Sequence, residues 1–83
     1  MPLYPGLVHK DPDSDYGIHF PDVPGCFSAG ETMLELYDMA AEALTAHRDL
    51  MRQHGEQIPS PSAASKHDSE GCYAVVWIPL EPA

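Results

Sequence analysis

The stretch Tyr16-Gly17-Ile18-His19-Phe20-Pro21-Asp22-Val23-Pro24-Gly25-Cys26-Phe27-Ser28-Ala29-Gly30-Glu31-Thr32 decides how this chain folds. It opens with an alternation: Tyr16, Ile18 and Phe20 fall on one side at period two, with Gly17 and His19 on the other, as in a half-buried strand. Pro21 to Gly25 reads as a turn, Cys26 to Ala29 as a second short strand, and Gly30 closes it. At Thr32 the period changes. Thr32-Met33-Leu34-Glu35 has the spacing of a capping box, in which a hydroxyl and a carboxylate satisfy free backbone donors at a helix start.

Working outward, Leu3 to His9 is a short apolar run, and Lys10-Asp11-Pro12-Asp13-Ser14-Asp15 is rich in turn formers, so the two flanking strands are expected to pair as a hairpin. On the other side, Met33, Leu36, Tyr37, Ala40, Leu44, His47 and Met51 recur every three or four residues and predict one long amphipathic helix. Its acids Glu31, Glu35 and Asp38 gather at the start, and Arg48, Arg52 and His54 at the end, each where the helix dipole favours it. Gly55 supplies a left-handed stop, and Ile58 is placed to fold back on the last turn. Pro59 through Gly71 lacks apolar periodicity and reads as a loop. Tyr73-Ala74-Val75-Val76-Trp77-Ile78-Pro79-Leu80 is almost continuously apolar and predicts a final strand. The sum is an α+β domain, β-β-β-α-β: a small, mainly antiparallel sheet with one helix packed on one face. One helix covers one face only. Tyr73, Val75 and Trp77 fall on the opposite side of the last strand from Val76, Ile78 and Leu80, so we expect another copy of the chain to cover them, giving a homo-oligomer.

The 83 residues make one small domain, 1–83, since a chain of this size buries only about 60% of its unfolded surface. Four basic against thirteen acidic side chains give a formal charge of −9. Such a charge disfavours direct binding to nucleic acid and to anionic membranes and suits a basic partner, although an acidic surface also serves plain solubility. No apolar run approaches the roughly 18 residues of a membrane span, and MPLYPGLVHK has no signal-peptide character, so the cytoplasm is the expected location. Cys26 and Cys72 cannot staple a scaffold and read as buried thiols, with a single disulfide the alternative.

Chemistry-bearing residues are plentiful without forming a motif. Asp11, Asp13 and Asp15, with Asp22 shortly after, lack the glycine and terminal glutamate of a calcium loop. His47 and His54 stand seven residues apart, too far along a helix for one metal, and His47 reads as a core histidine. No nucleophile elbow or phosphate loop is present. We expect no catalytic residue, no cofactor and no metal, hence no enzyme.

The Tyr16 to Thr32 string, together with Ala40-Ala41-Glu42-Ala43-Leu44 and the Gly55-Glu56-x-Ile58-Pro59-x-Pro61 exit, resembles the signature of HicB-like antitoxins over roughly residues 3 to 62. The resemblance implies a partial ribonuclease H-like fold, dimers or higher oligomers, and a partner: a small basic HicA-type toxin with a double-stranded-RNA-binding-domain-like fold that degrades mRNA and whose active site the antitoxin occludes. Asp11, Asp13, Asp15 and Asp22 are then the candidate toxin contacts, and Tyr73, Val75 and Trp77 the candidate oligomer interface. Such antitoxins usually continue into a DNA-binding segment; this chain stops at Ala83 with four scattered bases, so a DNA-binding domain is expected to be absent. Two other readings stay in view: a stand-alone oligomeric adaptor without a toxin, and a metal-dependent hydrolase, for which the acids cluster in a loop instead of on adjacent strands.

Overall fold

Five elements form in the order that the periodicities dictate: β1 (Leu3–His9), β2 (Tyr16–His19), β3 (Phe27–Gly30), α1 (Met33–Gln53) and β4 (Ala74–Pro79). The computed structural model describes residues 2–61 and 73–80. Cys72 and most of the expected loop after Pro61 lie outside the described residues. The strands make one antiparallel sheet in the order β3-β2-β1-β4, so β1 and β2 are central and β3 and β4 are edges. Tyr4 lies opposite Ile78, Val8 opposite both Ile18 and Ala74, and Ile18 opposite Ser28. Directly opposite residues share a face, which therefore carries Tyr4, Val8, Ile18, Phe20 and Ile78.

Helix α1 covers that face. Leu36, Ala40 and Leu44, at helical spacing, bury against Val8, Ile18, Phe20, Val23, Cys26 and Ile78 in one core. Full burial of each large side chain contributes about 1.5–3 kcal/mol. The start of α1 is fixed by Thr32, whose Oγ1 accepts from the Glu35 N–H at 3.1 Å, while the Glu35 carboxylate accepts from the Glu31 N–H at 3.3 Å, one residue earlier than in the usual capping box. The helix ends in a Schellman arrangement: Gly55 has φ +75°, its N–H donates to the Arg52 carbonyl at 3.0 Å, and the Glu56 N–H donates to Met51 at 2.8 Å. Ile58 returns to the core, and the buried Tyr4 hydroxyl donates to the Pro59 carbonyl at 2.6 Å, tying β1 to the chain beyond the helix.

Three expectations are corrected. The third strand begins at Phe27, not Cys26, because Cys26 closes the preceding turn: the Phe20 N–H donates to its carbonyl, and its own N–H donates to Val23. The buried stripe of α1 takes in Arg48, only 4% exposed, in place of His47, which is half-buried. Arg48 fits because its aliphatic stem packs like a hydrophobe, while its Nε and Nη2 both donate to Asp49 Oδ1 at 3.2 Å. Tyr37, assigned to the same stripe, is 41% exposed at its flank.

Candidate protein-binding surfaces

The acids singled out in the sequence do not converge. Asp11, Asp13 and Asp15 are exposed in the β1–β2 turn, where Ser14 braces Asp11: the Asp11 N–H donates to Ser14 Oγ at 3.0 Å and the Ser14 N–H to the Asp11 carbonyl at 3.2 Å. Asp22 sits in the β2–β3 turn at the other end of the sheet, half-buried near Tyr4. Burial, and secondarily the Asp22 charge, push the Tyr4 phenol above its ordinary value of 10.0.

The sheet face away from α1 carries Leu3, Pro5, Leu7, His9, His19, Phe27, Val75 and Trp77, by the strand register. Pro5 and Leu7 are buried there, whereas Phe27 and Trp77 are exposed, at 73% and 40%. Tyr73 does not simply continue this row. Its ring meets the edge of Tyr16, with centroids 5.5 Å apart, and its N–H donates to the Val8 carbonyl at 2.7 Å, which turns it toward the Tyr16 end of the sheet.

The same face presents a histidine pair that strand alternation, which puts His19 on the side opposite Ile18 and Phe20, does not reveal. His9 Nε2 and His19 Nδ1 are 2.8 Å apart, in rings inclined by 6° with centroids at 4.9 Å. Parallel rings in face contact cannot bring nitrogens this close, so the rings lie nearly edge to edge in one plane and share a hydrogen bond. Burial, and next the neighbouring His9, hold His19 below the ordinary value of 6.5. The unfolded chain then takes up this proton at higher pH than the folded one, so the stability linked to neutral His19 is present above 6.5 and declines as pH falls below it. Thermal unfolding should show this: the midpoint of the parent protein should drop faster than that of His19→Gln as pH falls below 6.5, and equal slopes would refute it.

Other groups show no assembled chemistry. Burial raises the Cys26 thiol to about 11, which keeps it protonated and unreactive at neutral pH. Among the described residues no group of three or more His, Cys, Asp or Glu is placed to hold a metal ion, and no helix is long and apolar enough to cross a membrane.

Residues 4–80 match the family described as the HicB-like antitoxin of bacterial toxin-antitoxin systems. The chain belongs to the HicB-like antitoxin family. It is 37% identical over 71 residues to an uncharacterized 14.9 kDa protein of Haemophilus phage HP1, covering 86% of this chain and 53% of that one. It is 34% identical over 65 residues to antitoxin HicB of Escherichia coli K12, covering 78% and 47%. The chain thus spans about half the length of these curated relatives. The crystal structure of the Burkholderia pseudomallei antitoxin HicB superposes with a TM-score of 0.84 at 28% identity, over 98% of this chain and 64% of that one. A HicA3 and HicB3 toxin-antitoxin complex contains a chain that superposes with a TM-score of 0.76 at 26% identity, over 96% and 99%. In this HicB-like domain the helix and the turn acids offer negative charge, and Phe27 and Trp77 offer apolar surface on the sheet face away from α1. Both suit protein partners.

Proposed function

We propose that this domain is an antitoxin module that binds a small, basic, HicA-type mRNA-cleaving toxin in the cytoplasm and neutralises it by covering its active site. The observation that carries the reading is the near end-to-end likeness to a chain of a HicA3 and HicB3 toxin-antitoxin complex. The charge of −9 supports it: a strongly negative domain speeds encounter with an RNA-binding protein and competes with RNA for the same positive surface. The same charge disfavours direct contact of this segment with nucleic acid. We assign no enzymatic activity to it.

Asp11, Asp13, Asp15 and Asp22, split between the two ends of the sheet, act in this reading as separate steering charges and not as one patch. Coexpression with a candidate basic toxin, followed by capture at low and high salt, tests the function. A complex that weakens as salt rises, with RNA cleavage suppressed, is the expected result; neither complex nor suppression would sink the reading. Asp11→Asn, Asp13→Asn and Asp15→Asn together should slow association several-fold while changing dissociation little, as exposed charges act mainly on encounter. We also propose self-association through Val75 and Trp77, with Tyr73 at the margin, because this row leaves apolar surface on an edge strand. Sedimentation of Trp77→Asp against the parent tests it; an unchanged oligomer would refute this interface.

A further inference from the structure

A groove of about 460 Å³ runs along the exposed side of α1 against the open edge of β4. Its lining joins apolar Ala41, Ala46 and Pro79 to acidic Asp38, Glu42 and Asp49. These acids belong to a stripe, Glu35, Asp38, Glu42 and Asp49, that follows helical spacing along one side of α1. Asp49 shares its charge with Arg48, whereas among the described residues Asp38 and Glu42 are exposed and carry no ion pair.

Two further observations separate this place from an ordinary solvated acidic face. The Tyr37 hydroxyl donates to the Trp77 carbonyl at 3.2 Å, which holds its ring in place as one wall of the groove. That carbonyl belongs to the free edge, since the Leu80 N–H donates to the Pro2 carbonyl and the even-numbered residues of β4 therefore pair inward with β1. Thr45, also in the wall, has a buried Oγ1 with no hydrogen-bond partner among the described residues. An orphaned buried hydroxyl is destabilising unless something else supplies its partner.

We propose that this groove receives an arginine side chain from the basic protein partner, an inference that rests on the antitoxin reading above and assigns its contact site. The aliphatic stem would lie over Ala41, Ala46 and Pro79, as arginine stems do on apolar surface. Its guanidinium would stack on the held Tyr37 ring and reach Asp38 and Glu42 in charge-assisted hydrogen bonds. Five N–H donors in a planar fork match two carboxylates that carry no ion pair among the described residues better than the compact ammonium of lysine does. A hard divalent cation fits less well, because among the described residues no three or more His, Cys, Asp or Glu are placed to hold one.

The test has two arms. In the first, affinity for the toxin is measured for the parent protein, for Asp38→Asn with Glu42→Gln, and for Thr45→Val. The paired variant should bind about tenfold or more weakly. Thr45→Val removes a buried hydroxyl but no charge, so it should melt at a higher temperature; a loss of affinity as large as that of the paired variant would overturn the charge-based contact. In the second arm, N-acetyl-arginine methylamide and its lysine counterpart are titrated into the labelled domain. Amide shifts at Tyr37, Glu42 and Thr45 should appear with arginine and be weaker with lysine. Toxin binding by the parent that the paired variant retains at full strength overturns the groove and leaves the antitoxin reading standing. Absence of toxin binding by the parent defeats that reading, and the groove is then decided by the arginine titration, in which shifts absent or equal for both probes overturn it.

Discussion

Phe20→Ala should remove about 3–5 kcal/mol of stability, the cost of deleting a buried aromatic ring and leaving its cavity. Phe20 is 1% exposed and packs in the single core between α1 and the sheet. A domain of 83 residues has a total stability of only about 5–10 kcal/mol, so much of the population should unfold under mild denaturant. Urea unfolding checks this against Phe27→Ala, whose ring is 73% exposed and whose loss should stay within about 0.5 kcal/mol. Similar midpoints for the two variants would show that the core is not where the burial places it.

Gly30→Ala is expected to have the next largest effect, through backbone crowding instead of a lost contact. A methyl at this position would stand 2.5 Å from the Leu36 nitrogen, 2.8 Å from Leu36 Cα and 3.0 Å from the Glu35 carbonyl carbon. All three atoms belong to the first turn of α1, so the helix must lift from β3 to make room, at about 2–3 kcal/mol. Gly17→Ala is the control, because nothing lies within 4 Å of its added methyl. Gly30→Ala should therefore lower the unfolding midpoint sharply and Gly17→Ala hardly at all; equal shifts would refute the close approach of helix and strand.

Much of this architecture was legible because local patterns agreed with the final packing. The alternation of Tyr16, Ile18 and Phe20, the Thr32 cap and the Gly55 stop each act through neighbours in sequence, and each is realised in the fold. The family signature lies in the same stretch and was readable for the same reason. The misreadings fall where packing decides. Arg48 reads as a base that the helix dipole favours near the end of α1, yet its stem is buried and Asp49 takes its charge, a pairing that hydropathy cannot rank. Cys26 was counted as a strand residue, but the turn hydrogen bonds to Phe20 and Val23 claim it first.

The candidate surfaces divide in the same way. The number of acids, the charge of −9 and the periodic stripe along α1 are properties of the sequence, fixed by composition and by the helical repeat. The strand between the two turns also carries Asp22 to the opposite end of the sheet from Asp11, Asp13 and Asp15, a separation already implicit in the local pattern. Only tertiary structure could join His9 to His19 across neighbouring strands, or set Tyr37 against the Trp77 carbonyl forty residues later. Local periodicity determines which residues share a face of one element; which faces meet depends on register and on burial of the whole core, and no short stretch of the chain encodes either alone.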